Sequence, residues 1–145
     1  MHPRGNAVTS MAAGAGDVLI DWEYPEPTPR PFTTIAWRLG HVIVGVLGTR
    51  NAAHFGRDPV DYASFSYAAA ADEAMGQLEG EATTWLDGVR GLGDEELQRP
   101  CGPAEGHFAD ATMATLVLHI HRELIHHLAE VSLLRDLYAH TNKEA

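Results

Sequence analysis

Four histidines and one glutamate fall within the nine residues HIHRELIHH, positions 119 to 127. Imidazole nitrogens and carboxylate oxygens are the donors from which zinc, nickel, iron and manganese sites are built. The first question is therefore which of these side chains can face a common point. On a helix, Glu123 and His127 stand one turn apart at i and i+4 and can converge on one ion. His119 extends the row to i, i+4, i+8, and can support a ligand from behind or replace one. His126 points to the flank of Arg122 and Ala129, expected to meet solvent, and is kept as the other alternative ligand. His121 reads as solvated.

A catalytic divalent site takes about three protein ligands and leaves positions for water or substrate. The candidate for the third is His41 in TTIAWRLGHVIVGVLGTR. That segment is apolar nearly all round except for a narrow face of Arg38, His41, Gly45 and Gly48, where the glycines leave room beside the imidazole. The bland alternative is a buried His127 bonded to a backbone carbonyl, with Glu123 paired to Arg122 or His119. An HxxxExxxH row is a weak signal by itself, and both readings stand on sequence alone.

The elements that must position these residues are helical. In the last helix Val117, Ile120, Leu124, Val131, Leu134 and Tyr138 alternate steps of three and four, and His127 fills the one gap in this inward seam. Asp110 is placed to cap that helix. The His41 helix starts at Thr33 or Thr34 and carries Ile35, Leu39, Val42 and Val46 at helical spacing. Between them, SYAAAADEAMGQLEGEATTWLDGVRGLG reads as an amphipathic helix through Ala70, Ala74, Gln77, Leu78, Trp85 and Val89, followed by a short turn in DEELQ and the loop RPCGPAEG. Residues 1 to 16 read as a flexible lead-in, and DWEYPEPTPRPF, with four prolines, as an extended strap. Strand signals are weak throughout. The expectation is a single all-α domain over residues 17 to 140 with a tail at 141 to 145.

Composition narrows the partners. At 145 residues and 45% hydrophobic content the chain can bury one core. A formal charge of −10 disfavours nucleic acid and anionic membrane, which leaves a small-molecule substrate or another protein. Cys101 is the single cysteine, so no intrachain disulfide forms. The N-terminal residues lack the apolar core of a secretory signal, and no run approaches the ~20 residues of a membrane span, so the expected location is cytoplasmic.

The stretches TTIAWRLGH, GTRNAAHFG, RPCGPAEG and HRELIHHLAEVSLLRDLY resemble the DinB-like superfamily of metal-binding four-helix bundles, in an actinobacterial-type branch, over roughly residues 20 to 140. The resemblance implies an up-down-up-down bundle in which His41, Glu123 and His127 hold a divalent ion, zinc or nickel before iron or manganese. It also implies relatives that act with a low-molecular-weight thiol, among them mycothiol-dependent maleylpyruvate isomerases and thiol transferases, beside others with no assigned reaction. One departure is that the first helix of such bundles is shortened or missing here, which would leave the inner face partly uncovered. A homodimer covering it is the expectation.

Smaller features carry weaker readings. Trp37 and Arg38 lie within a turn of His41, so Arg38 could bind a substrate carboxylate and Trp37 wall the pocket, against a packed tryptophan and an arginine paired to an acid. Cys101 has no base beside it in sequence. Arg135 and Asp136 are expected to form interhelical ion pairs, Tyr138 to lie in the core, and His54 and His107 to sit by loops.

Overall fold

The rod that bears His41 runs through the middle of the molecule because its sequence leaves almost no polar side to expose. The computed structural model describes residues 2–3, 12–22 and 33–141. The proline strap, apart from its first two residues, lies outside the described residues, as do much of the lead-in and the last four residues. The elements are β1 (His2–Pro3), β2 (Ala12–Ala13), β3 (Val18–Asp21), α1 (Ile35–Gly40), a π-helical segment (His41–Gly48), α2 (Thr49–His54), α3 (Ala71–Arg90), α4 (Asp94–Gln98), a 3-10 turn (Pro103–Phe108) and α5 (Met113–Thr141). The protein is an all-α bundle with a small sheet at its edge.

Thr34, not Thr33, caps the central rod: its backbone is extended and its hydroxyl accepts the Trp37 N–H at 3.1 Å. The rod then widens for eight residues, and the Thr49 N–H reaches back five residues to the Val44 carbonyl. The Gly45 carbonyl is capped by side chains, accepting the Thr49 hydroxyl at 3.0 Å and the Arg50 guanidinium at 2.6 Å. Val42, Ile43, Val44, Val46 and Leu47 are all buried along this stretch, so apolar burial surrounds the rod. Against it pack Leu78 and Trp85 of α3 and Leu116, Ile120 and His127 of α5. Trp85 is fully buried with its ring 5.3 Å from that of Phe55, which lies close on Gly88, where any Cβ would meet the ring.

Strands were not expected, yet three form an antiparallel sheet in the order β1-β3-β2, with Val18 opposite Pro3 and Ile20 opposite Ala13. Leu19 and Ile20 are buried, and the Ile20 side chain lies directly over Gly40 of α1. No helix precedes α1 among the described residues, but the face expected to stand open is in part roofed by β3 and by Tyr67. The short apolar run VLI is too brief to announce itself as a strand, and its partners are Ala and Pro dipeptides.

Three further expectations on α5 are corrected. The Thr112 hydroxyl, rather than Asp110, accepts the first free N–H, that of Thr115, at 3.2 Å. Tyr138 is 71% exposed because the seam continues past the end of its packing partners. Arg135 and Asp136 pair with each other at 2.8 Å on the same exposed helix end, not across helices.

Candidate metal centre

The inward seam of α5 places His127 against the opening turn of the π-helical segment. His127 is buried, and its ring meets the His41 ring edge-on with centroids 4.7 Å apart. Glu123, one turn earlier, holds Oε2 at 3.5 Å from His127 Nε2. Two segments remote in sequence thus bring His41 and Glu123 each against His127.

Each imidazole is held by its Nδ1. His41 Nδ1 lies 2.9 Å from the Tyr62 hydroxyl. Gly45 permits this, since a Cβ there would collide with the Tyr62 oxygen. On His127, Nδ1 lies 3.0 Å from Glu130 Oε2 and 3.3 Å from an Arg38 nitrogen, while that nitrogen is 2.9 Å from the same Glu130 oxygen. One nitrogen cannot donate to the carboxylate and accept from the guanidinium together. The consistent assignment has Nδ1–H and Arg38 both donating to Glu130, with the third distance merely closing the triangle. A carboxylate behind a histidine fixes its tautomer and turns Nε2 outward as a free base.

The electrostatics suit a cation ligand set. Burial, then the charges of His127 and Arg38, lower the His41 pKa to about 4, so its imidazole is neutral near pH 7. Burial alone would raise Glu123, but the hydrogen bond from Arg122 and the charges of His119, Arg122 and His127 outweigh it and hold the carboxyl below its usual range. Burial raises the Tyr62 phenol, which stays protonated.

Among the described residues, His126, His127 and Glu130 form a group whose ligand atoms all lie within 4.8 Å of one another and which could hold a metal ion. The trio His41, Glu123 and His127 does not form such a group. The two sets share His127 but use opposite nitrogens. On the Nδ1 side the Arg38 guanidinium already neutralises Glu130, and a second cation there would be repelled. His126 is largely exposed, with Nε2 3.6 Å from Glu130 Oε1. On the Nε2 side His127 faces Glu123 Oε2 at 3.5 Å with the His41 ring against it, donor types that suit a divalent ion.

His119 stands 3.7 Å from Glu123, and Arg122 3.2 Å from it. The pairing that the bland alternative required of Glu123 is therefore present, through one carboxylate oxygen, and leaves Oε2 facing His127. Trp37 stacks on His41 with ring centroids 5.6 Å apart and meets Trp22 at a tilt of 47° at 4.9 Å, and Arg38 is committed to Glu130. Sequence reasoning missed Tyr62 and Glu130. Glu130 has a signal, i+3 from His127; Tyr62 arrives from a loop and has none. His54, set aside as a loop residue, is buried against Glu105 at 3.0 Å, and Arg50 joins the same carboxylate at 3.2 Å. This latch fixes the 3-10 turn to α2. The Cys101 thiol donates to the Ala111 carbonyl, and burial followed by the Glu105 charge raises its pKa, both unfavourable to a nucleophile.

Two expected results follow from this geometry. Gly45→Ala should push the Tyr62 hydroxyl from His41 and weaken metal affinity by about 10–100-fold, the usual cost of losing an orienting partner; chelator competition reads it, and unchanged affinity would show that Tyr62 orients nothing. The second is a pH effect on metal-stripped protein. Between the ordinary pKa of 6.5 and the folded value of about 4, the unfolded chain binds a proton at His41 that the folded chain refuses. Stability is therefore fully present above the upper value and lost as pH falls towards the lower one. The full gap corresponds to about 3 kcal/mol, and partial solvent access reduces this to about 1–2 kcal/mol. Urea midpoints at pH 7.5 and 5 should differ less for His41→Gln than for the parent; equal differences would contradict it.

Among curated proteins and among solved structures none matches the chain. No described helix is long and apolar enough to cross a membrane. A family model for the DinB superfamily matches residues 8–131, a span that includes His41, Tyr62, Glu123, His127 and Glu130. The chain belongs to the DinB superfamily.

Proposed function

We propose that the protein is a divalent-metal-dependent enzyme that works with a low-molecular-weight thiol of the mycothiol type, as a transferase or isomerase, with His41, Glu123 and His127 as metal ligands. The observation that carries this reading is the pair of Nδ1 anchors: Tyr62 behind His41 and Glu130 behind His127 occupy the two Nδ1 atoms and leave each Nε2 as the available base, with Glu123 Oε2 3.5 Å from that of His127. A bound divalent ion would supply Lewis acidity and stabilise a thiolate at neutral pH. The chain's own residues do the rest. Arg38 stays with Glu130, keeping His127 in the metal-binding tautomer, and Trp37 covers the His41 ring from solvent.

Room for an organic substrate lies along the same helix. A cleft of about 850 Å³ is lined by Cys101, Phe108, Leu118, His119 and Arg122, and its wall ends at the turn that carries Glu123. Its lining is mainly apolar, and of its basic groups Arg50 is paired to Glu105 while His119 and Arg122 stand beside Glu123, which suits a small acidic molecule with an apolar body.

A second reading, a non-catalytic metal-binding or scaffold protein of stress responses, is favoured by one observation: Arg38, Glu130 and His127 form a closed network that is satisfied within the chain. The two readings part on turnover. Zinc- or nickel-loaded protein mixed with mycothiol and electrophilic acceptors should consume thiol, and His41→Ala should not. Metal binding without thiol consumption under any loading would favour the scaffold.

A further inference from the structure

The face of α5 turned away from the core is unusually apolar for a surface that none of the described residues covers. Leu118, Ile125 and Leu133 are 71%, 74% and 59% exposed. At helical spacing they fall on one strip with the exposed Ala129, and on the same strip lie Arg122 and Asp136, also exposed.

The order along this strip is symmetric. Ala129 is midway in sequence between Ile125 and Leu133, and also midway between Arg122 and Asp136. We propose that this strip is a self-recognition surface, on which α5 of a second copy packs antiparallel about a two-fold axis through Ala129. Ile125 of each copy then meets Leu133 of the other, and Arg122 of each meets Asp136 of the other. This is the residue i to residue j exchange that an isologous interface requires. The small side chain at the centre lets the helix axes approach to roughly 8–10 Å.

Charge complementarity favours a second copy over other occupants. The strip carries one basic and one acidic residue, equidistant from its apolar centre and opposite in sign, so it complements itself when reversed. An acidic or basic partner would satisfy one end and be repelled by the other. Among the described residues Arg122 pairs with His119 and with the half-buried Glu123, and Asp136 is held by the adjacent Arg135; the guanidinium and the Asp136 carboxylate are exposed and can exchange these partners for ones across an interface. The surface is separate from the inner face on which a dimer was first expected; its Leu118 and Arg122 end borders the cleft described above, so a second copy would narrow the mouth of that cleft, and the inference does not depend on the metal reading.

One helix pair is at the small end of specific interfaces, so association in the range of roughly 10–100 μM is expected. Sedimentation equilibrium of the full chain should show a monomer–dimer equilibrium in that range. Asp136→Arg, which sets arginine against Arg122, should raise the dissociation constant at least about tenfold, as should Arg122→Asp, and the double reversal should restore it. A second arm does not rely on charge: in a Cys101→Ser background, Ala129→Cys should form a disulfide-linked dimer on mild oxidation, whereas Glu95→Cys on α4 should not. A chain that stays monomeric up to about 0.5 mM, a dimer indifferent to both single reversals, or a double reversal that fails to restore association would each overturn the proposal.

Discussion

His127→Ala is expected to abolish metal loading, lowering affinity by more than about 100-fold. Partners that merely orient a ligand are worth about 10–100-fold, and a direct ligand must exceed them. The fold should survive, because Arg38 and Glu130 keep their 2.9 Å ion pair and Ile120 and Leu116 still fill the seam. Near-complete retention of circular dichroism together with loss of the zinc-induced rise in melting temperature would separate ligand loss from unfolding. A variant that binds metal as well as the parent would place the ion away from this histidine altogether.

Trp85→Ala is expected to have the largest effect on stability, a loss of about 3–5 kcal/mol. The side chain is fully buried between α3 and the central rod, and the Phe55 ring leans on it at 5.3 Å. Total stabilities of small domains are about 5–15 kcal/mol, so the variant should be close to unfolding at 37 °C. The indole N–H has no acceptor among the described residues. Trp85→Phe therefore sacrifices volume but no hydrogen bond, and should cost less than half as much. Urea denaturation measures both; a loss below about 1 kcal/mol for the alanine variant would show that the α3 contact is not part of the cooperative core.

The helices of this protein are legible because apolar spacing is local information. Ile120 and Leu124, Leu78 and Trp85, and Val42 and Val46 announce which faces turn inward, and the histidine in the gap of the α5 seam turns inward with them. What lies between helices is less legible. The sequence shows the glycines at 45 and 48 as space beside His41, but Tyr62 and Val60 fill that space from a loop whose path no periodicity encodes. The widening of the rod from His41 to Gly48 is equally hidden, since its hydrogen bonds shift by one residue while its apolar content stays the same. Glu130 was visible as a neighbour of His127, yet its work depends on Arg38 from another helix. Pairings of that kind are long-range, as is the β3 strand, which needs α1 beneath it to be worth forming.

The central claim is that His127 offers Nε2 to a metal ion shared with His41 and Glu123 while Glu130 holds the other nitrogen from behind. It is tested most directly by measuring bound zinc per chain, by elemental analysis after dialysis, in the parent, Glu123→Gln and Glu130→Gln. Glutamine at position 130 keeps an oxygen that accepts the Nδ1–H, whereas glutamine at 123 removes a charged ligand. Near one ion per chain in the parent and in Glu130→Gln, with loss in Glu123→Gln, is the predicted pattern. Metal retained in Glu123→Gln but lost in Glu130→Gln would put the ion on the His126 side and contradict the account.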